Sequence, residues 1–204
     1  MLFKHNILHS DATVLELGCG ISGIIGLALG QRVASYTLTD QHYVMKLLSE
    51  NLDENRQAGS SASAKGRKST AKSKRGNTTP QHVSNNVTVK VLDWEVDEVT
   101  PSLVGAEGKS SFDVVIACDC IYNDALIDPL VQTCVDACKL RSLSEGGGSP
   151  AVCVVAQQLR SAEVFEGWLQ AFHKAFRVWR LPDETLIDGL KSDSGFVVHI
   201  GILR

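Results

Sequence analysis

A glycine-rich turn lies directly after the first apolar stretch of the chain, in the segment VLELGCGISG at residues 14–23. The apolar stretch Thr13–Leu17 is typical of a buried strand, and a helical pattern follows from about Ser22 to Leu29. A strand, a tight glycine turn and a helix in this order predict the first unit of a parallel α/β sheet. The spacing G-x-G-x-x-G fits a ligand that approaches the backbone closely, but this pattern alone does not select the ligand.

Apolar β-like runs and helical patterns alternate through the rest of the chain. Further strands are predicted at Ser35–Thr39, Val87–Leu92, Phe112–Cys118, Ala151–Ala156, Arg177–Leu181 and Phe196–Leu203. Helices are predicted after Asp40, after an N-cap at Asp128 with Pro129 in the first turn, and after an N-cap at Ser161. The last two strands have no helical pattern between them, which predicts an antiparallel hairpin at the sheet edge. The expected fold class is therefore α/β: a Rossmann-like, doubly wound, mostly parallel seven-strand sheet with helices on both faces.

One domain over residues 1–204 accounts for the length, and a basic insertion interrupts it. Residues 59–77 contain no large apolar side chain, so we predict a disordered insertion at about residues 58–84. Residues 55–92 carry eight Lys and Arg and no Asp or Glu, whereas the rest carries twelve basic and 23 acidic residues. A basic segment is thus attached to an acidic body.

The cysteine pattern and the lack of recognisable targeting segments indicate in which cellular compartment the chain is expected. The chain has six cysteines without a C-x-x-C pair, and we expect Cys118 and Cys120 to point to opposite faces, which disfavours a shared metal. No apolar run is long enough for a membrane span, and the first residues do not resemble a secretory signal. We expect reduced thiols, no metal, no membrane contact and a cytoplasmic location, with the nucleus as a second compartment.

Two carboxylates bear on which ligand the glycine turn takes. Asp40 follows the second strand, where a carboxylate can accept hydrogen bonds from ribose hydroxyls of either a nicotinamide dinucleotide or S-adenosylmethionine. Glu16 lies two residues before the first glycine of the turn. A carboxylate there would repel a pyrophosphate and attract a sulfonium or ammonium group, which favours S-adenosylmethionine.

Two short motifs at later strand ends point the same way. Asp93 and Trp94 follow the third strand, where they can hold an adenine amino group and its ring. Asp119 and Tyr122 follow the fourth strand, where the reacting end of the ligand is expected. Ligands of open α/β sheets bind outside the carboxyl ends of the strands, which is where these residues are predicted to meet.

The segments VLELGCGISG, TLTDQ, VLDWE and FDVVIACDCIY resemble the landmark motifs of class I, seven-β-strand S-adenosylmethionine-dependent methyltransferases. The D-x-x-Y pattern of Asp119–Tyr122 is similar to that of the protein lysine methyltransferase branch. LGCGISGI, TLTDQHYV, LDWE, VVAQQLRS and HIGILR are most similar to the fungal enzymes that methylate a lysine on a large-subunit ribosomal protein.

The resemblance implies methyl transfer from S-adenosylmethionine to a lysine amine, with a ribosomal protein as substrate. It implies a lysine entrance formed by Asp119 and Tyr122. The residues it implies for cofactor binding are Glu16, Gly18, Cys19, Gly20, Asp40, Asp93, Trp94 and Cys118.

The N-terminal segment departs from the pattern that this resemblance implies. Relatives carry a Trp-containing segment ahead of the first strand, whereas Met1–Ala12 contain no Trp. The resemblance therefore implies an N-terminally truncated chain with weakened cofactor binding. One alternative is a catalytically impaired binding module that contacts the ribosome or RNA through the basic insertion. A nicotinamide-dependent oxidoreductase is the other, and only the glycines support it.

Overall fold

Strands and helices alternate along the chain in the computed structural model, which describes residues 7–64, 86–143 and 149–204. The seven strands are β1 Thr13–Leu17, β2 Ser35–Asp40, β3 Val87–Val91, β4 Val114–Cys118, β5 Val152–Gln158, β6 Phe176–Arg180 and β7 Phe196–Leu203. The four α-helices within these ranges are α1 Ile24–Leu29, α2 Met45–Ala64, α3 Ile127–Leu143 and α4 Ala162–Ala175.

The strands form one sheet in the order β3-β2-β1-β4-β5-β7-β6. The first five strands in this order pair in parallel, whereas β7 pairs antiparallel with both β5 and β6. The predicted mostly parallel seven-strand sheet with a C-terminal antiparallel hairpin is therefore confirmed. Because the chain runs outward from β1 in one direction to β3 and in the other to β5, the sheet has a topological switch point at β1.

The two faces of the sheet carry separate apolar cores. Leu15 and Leu17 of β1 face the core that contains Trp168 and Phe172 of α4, together with the apolar side of α3. Val14 faces the other core, which contains side chains from α1 and α2. Alternate residues of the central strand are thus buried in opposite directions, as a doubly wound sheet requires.

The strand boundaries agree with the sequence prediction to within two residues, whereas two helix boundaries differ more clearly. Asp128 lies inside α3 rather than at its N-cap, because a 3₁₀ turn at Asp124–Leu126 runs directly into the helix and is capped by Asn123, whose side chain accepts from the backbone N–H of Ala125. Helix α2 continues to Ala64, so the first residues of the predicted insertion are helical. The rest of that segment lies outside the described residues. The predicted cap at Ser161 is confirmed, since its hydroxyl accepts from the N–H of Val164.

Candidate active site

The glycine turn after β1 brings the backbone close to side chains from three loops. Gly18 and Gly20 have φ of 62° and 65°, in the left-handed region that favours glycine. A Cβ atom at Gly18 would lie 2.8 Å from Sγ of Cys120 and 3.0 Å from the ring of Trp94. A Cβ atom at Gly20 would meet nothing within 4 Å. Gly18 therefore permits tight packing of the loops, and Gly20 leaves open space above the turn.

Asp40 ties the end of β2 to this turn. Its Oδ2 atom accepts a hydrogen bond from the N–H of Gly20 at 2.8 Å, and its Oδ1 atom accepts from the N–H of Gln41 at 2.8 Å. Each carboxylate oxygen retains a free lone pair for a further donor. Asp40 is thus fixed by the backbone and can still accept hydrogen bonds from a ligand.

Asp93 and Trp94 lie directly across from the turn, after β3. Asp93 accepts from Nε2 of Gln41 at 3.1 Å and from the N–H of Glu95 at 3.0 Å. The indole Nε1 of Trp94 is buried and has no hydrogen-bond partner in the described part of the chain. Because the ring edge packs on Gly18, the indole forms a fixed wall beside the turn.

Asp119 follows β4 in an unusual backbone conformation. Its φ of 57° is the only positive value at a non-glycine residue within the described ranges. The N–H of Asp119 donates to the carbonyl of Ala156 in β5 at 2.7 Å, so the neighbouring strand holds this conformation. Its carboxylate pairs with Arg160, which follows β5. Left-handed non-glycine residues concentrate at functional sites, where the surrounding structure sustains their strain.

These residues line one cavity of about 280 Å³ at the carboxyl ends of the parallel strands. The lining residues are Gly18, Gly20, Asp40, Gln41, Tyr43, Val44, Leu92, Asp93, Trp94, Asp119, Cys120, Tyr122 and Leu126. Seven of the ten residues singled out in the sequence lie in this lining. Tyr122 is 63% exposed, which puts its phenol at the mouth of the cavity.

Glu16, Cys19 and Cys118 do not belong to the cavity lining. Glu16 is only 2% exposed, and its Oε2 atom accepts a hydrogen bond from the hydroxyl of Tyr36 at 2.7 Å. Burial raises the pKa of Glu16 to about 7, the hydrogen bond from Tyr36 opposes this shift, and the charge of Asp40 adds to it. Glu16 is thus buried behind the residues that line the cavity, and its contact with the cofactor stays a prediction.

Several residues in or beside the cavity were not predicted from the sequence. Gln41 and Tyr43 follow Asp40 directly, and their position after a strand end was an available signal. Cys120 reaches the lining because its Sγ atom turns toward the carbonyl of Leu17, 3.2 Å away. Arg160 lies 41 residues from Asp119 in sequence, so no local pattern connects them.

The described ranges contain neither a metal-binding cluster nor a membrane-spanning helix. They contain no cluster of three or more His, Cys, Asp or Glu side chains that could hold a metal ion. Cys118 and Cys120 do pack in different cores, but not because they alternate along a strand, where residues two positions apart share a face. They separate because β4 ends at Cys118 and the left-handed Asp119 changes the direction of the chain. No helix in the described part of the chain is both long and apolar enough to cross a membrane. All six cysteines are free thiols.

The glycine turn, the acids at successive strand ends and the cavity at the switch point define a Rossmann-like protein with a nucleotide-type site. Among solved structures, the chain is similar to the N-methyltransferase NodS from Bradyrhizobium japonicum in complex with S-adenosyl-L-homocysteine. The TM-score is 0.55 at 13% identity, and the match covers 97% of this chain and 79% of that one. At this identity the likeness concerns the fold.

The sequence profile of the family described as lysine methyltransferase matches residues 3–163, and the chain belongs to this family. It is 32% identical over 181 residues to ribosomal lysine N-methyltransferase 5 of Zygosaccharomyces rouxii, a match covering 84% of this chain and 53% of that protein. It is also 30% identical over 174 residues to a diaminohydroxyphosphoribosylamino-pyrimidine deaminase of Schizosaccharomyces pombe, covering 85% of this chain and 33% of that protein. The chain thus spans about half of one relative and a third of the other, so the names of these relatives do not by themselves identify the activity of the shared part.

Proposed function

We propose that this chain is an S-adenosylmethionine-dependent protein-lysine N-methyltransferase whose substrate is a lysine of a large-subunit ribosomal protein. The observation that carries the proposal is the single cavity in which Asp40, Asp93, Trp94 and Asp119 meet, in a chain of the lysine methyltransferase family. The name of the Zygosaccharomyces rouxii relative supports a ribosomal substrate.

The cavity residues fit the parts of this cofactor. Asp40 would accept hydrogen bonds from the ribose hydroxyls, and Asp93 would accept one from the adenine amino group beside the indole of Trp94. The open space above Gly20 would admit the methionine part against the backbone. Because Glu16 lies outside the cavity lining, its negative charge would attract the positively charged part of the cofactor from behind the glycine turn.

The cofactor supplies a methyl group on a positively charged sulfur. The chain has to bring the lysine nitrogen in line with that methyl group and keep water away from it. Asp119 and Tyr122 would orient the amine at the mouth of the cavity, while Leu126 and Val44 give the lining apolar surface. Positioning and desolvation, rather than a covalent intermediate with the protein, would therefore provide the rate enhancement.

The charge distribution supports a basic protein substrate. Outside residues 55–92 the chain carries twelve basic and 23 acidic residues, and such a surface attracts a lysine-rich partner. Contact with ribosomal RNA would then use the basic insertion. A cytoplasmic location, with the nucleus as a second compartment, agrees with this substrate and with six free thiols.

Incubation of ribosomal proteins with labelled S-adenosylmethionine and the purified chain tests the activity. We expect label on a lysine of one large-subunit protein, identified by mass mapping of the labelled peptide. Label on no protein, or on a nucleic acid only, would contradict the proposal.

A pair of glycine variants tests the cofactor site separately. Gly20→Ala adds a methyl group in the open space of the cavity, whereas Gly108→Ala adds one in open space elsewhere at a similar φ of 72°. Both variants accept a left-handed alanine, at about 1–2 kcal/mol each. We expect only Gly20→Ala to weaken S-adenosyl-L-homocysteine binding, by at least about tenfold in calorimetry, which corresponds to about 1.4 kcal/mol. Equal affinities of the two variants would place the cofactor elsewhere.

A further inference from the structure

Asp119 is paired with Arg160 through two parallel hydrogen bonds. Nη1 of Arg160 donates to Oδ1 at 2.9 Å, and Nη2 donates to Oδ2 at 2.5 Å. This two-pronged geometry occupies both carboxylate oxygens at once, which a lysine in the same place could not do. The pair lies at the rim, since the two side chains are 48% and 43% exposed.

The backbone around the pair holds both partners in place. The N–H of Gln158 lies 3.4 Å from Oδ1 of Asp119 and adds a third donor to this carboxylate. The N–H of Leu159, just before Arg160, donates to the carbonyl of Gly195 at 2.8 Å. The loop after β5 is thus attached to the segment before β7, and it presents Arg160 to Asp119, whose left-handed conformation is held by the hydrogen bond to β5.

Within the described ranges, the other two acids of the cavity have no such cationic partner. Asp40 and Asp93 accept hydrogen bonds from neutral N–H groups of Gly20, Gln41 and Glu95. Among the described residues that line the cavity there is no Lys or Arg. The acid at the proposed lysine entrance is therefore the one whose charge the protein neutralises.

We infer that Arg160 is a positioning residue that keeps Asp119 paired, so that the entrance admits the neutral form of the substrate amine in preference to its ammonium form. This inference rests on the proposed function. Methyl transfer needs the nitrogen lone pair: the new N–C bond forms from that pair, the S–C bond breaks with its electrons remaining on sulfur, and the nitrogen then loses one proton to water. An unpaired carboxylate beside the nitrogen would stabilise the ammonium form, which has no lone pair.

Several other titratable groups face the same region. Those in the cavity lining are Asp40 at the end of β2, Tyr43 after it, Asp93 after β3, and Cys120 and Tyr122 after β4. Glu16 in β1 and Cys118 in β4 lie outside the lining, and Cys118 is within electrostatic range of both Glu16 and Asp119. Burial raises the pKa of Cys118 to about 12 and raises that of Cys120 well above its usual value. The variants compared below leave all of these groups unchanged.

The test uses n-butylamine as a lysine side-chain probe, titrated by NMR into the full chain with S-adenosyl-L-homocysteine present. Its pKa is close to the ~10.4 of lysine, so its neutral fraction rises about tenfold per pH unit below that value. For the unaltered protein we expect the apparent affinity to rise about tenfold per unit between pH 7.5 and pH 9.5. For Arg160→Gln we expect a nearly flat profile and tighter binding at pH 7.5, because the ammonium form now binds.

Three further variants separate charge from structure. Arg177→Gln lies at an exposed position of the edge strand β6, level with the start of β4 and so at the other end of the strands from Asp119, and it should behave like the unaltered protein. Arg160→Lys keeps the positive charge and should keep most of the pH dependence. The double variant Arg160→Gln with Asp119→Asn removes the unpaired carboxylate and should recover the rising profile. The same pH profile in Arg160→Gln and in the unaltered protein overturns the inference.

A second readout distinguishes this inference from the proposed function. If the chain methylates a ribosomal protein, Arg160→Gln should reduce kcat/KM more at pH 7.5 than at pH 9.5. If no methylation occurs, the proposed function fails, while the n-butylamine profiles still decide whether Arg160 controls the charge state admitted. Equal thermal unfolding of all variants verifies that each is folded.

Discussion

Glu16 is an acid in the interior of a central strand, and its protonation is coupled to folding. Its carboxylate is buried between β1 and β2, with the hydroxyl of Tyr36 as its hydrogen-bond donor. Burial and the charge of Glu16 raise the pKa of Tyr36, so the phenol stays protonated and remains a donor. At neutral pH, Glu16 is therefore close to half ionised.

The pKa of Glu16 gives a definite sign for the pH dependence of stability. Its folded pKa is about 7 against an ordinary value of 4.5, so the folded protein binds more protons between these values. Stability is therefore lost as pH rises from 4.5 to 7, by up to about 3 kcal/mol at 1.36 kcal/mol per unit. Glu16→Gln keeps an acceptor for Tyr36 and has no such titration. We expect its free energy of unfolding, measured by urea denaturation, to gain about 3 kcal/mol relative to the unaltered protein between pH 4.5 and pH 8.

Glu50→Gln is the matched control, because Glu50 is exposed on α2 and should leave the pH profile unchanged. His199 acts in the opposite direction: burial lowers its pKa to about 4, so the stability it provides is lost as pH falls from 6.5 toward 4. This contribution is common to all three proteins and cancels in the comparison. Parallel profiles for Glu16→Gln and Glu50→Gln would show that Glu16 is already ionised at low pH.

Sequence patterns predicted which residues meet at the strand ends but not which side chains turn into the sheet. Asp40, Asp93 and Asp119 each lie at or just after the end of a strand, and this position alone brings them to one edge of the sheet. Glu16 lies two positions before Gly18, still inside β1, and its partner Tyr36 is aligned with Val14 in the neighbouring strand. That diagonal contact depends on the register between strands, which no local pattern in either strand specifies.

At the scale of elements, the positions of the strands were predictable from apolar runs, whereas the residues at which strands end depended on the neighbouring strands. β1 and β7 have the predicted bounds, but β5 continues two residues beyond Ala156. The extra residues Gln157 and Gln158 are polar and pair with Val197 and Phe196 of β7. A polar residue joins the strand here because an antiparallel neighbour supplies its backbone partners, and this pairing is not visible in the sequence of β5.

Helix α4 packs on the hairpin through a position that has no room for a side chain. A Cβ atom at Gly201 of β7 would lie 2.6 Å from the ring of Phe172 and 3.1 Å from that of Phe176. The two rings stack with centroids 4.3 Å apart, so neither can move freely. We expect Gly201→Ala to lower the free energy of unfolding by about 1–3 kcal/mol in urea denaturation, as overpacked cores do.

The control for this substitution is Gly189→Ala. Nothing lies within 4 Å of the added Cβ atom at Gly189, so the effect should stay within about 0.5 kcal/mol. If both variants unfold at the same urea concentration, the helix and the hairpin have more freedom to separate than their ring contacts indicate.

On the scale of the whole molecule, the fold class followed from the alternation of strands and helices, since parallel strands need helical crossovers. The predicted hairpin also followed, from the absence of a helical pattern between the last two strands. Its placement in the sheet did not follow: β7 lies between β5 and β6, so the later strand of the hairpin is the inner one. β7 holds this inner position through its pairing with β5, which joins residues distant in sequence.

The charge asymmetry of the molecule leads to a prediction about salt. The basic side chains between residues 65 and 75 are Lys65, Arg67, Lys68, Lys72, Lys74 and Arg75. Replacing all six by Gln should weaken ribosome co-sedimentation at low salt and reduce the slope of log K against log salt by up to about 4, at about 0.7 per phosphate contact.

The matched control replaces the same number of neutral polar residues in this region by Gln. These are Ser69, Thr70, Ser73, Thr78, Thr79 and Ser84, and their replacement should leave the salt slope unchanged. If neither set of substitutions changes ribosome co-sedimentation or its salt dependence, the insertion has no electrostatic role in ribosome binding.

The three tryptophans of the chain occupy three different environments, and this gives the molecule built-in optical probes. Trp94 forms the wall of the cavity, Trp168 is 1% exposed in the core beside α3, and Trp179 is 52% exposed on β6. With Phe in place of Trp168 and Trp179, fluorescence would come from the cavity alone and would follow its filling in real time. With Phe in place of Trp94 and Trp179, emission would report loss of the core, so that ligand binding and unfolding become separable signals of one protein.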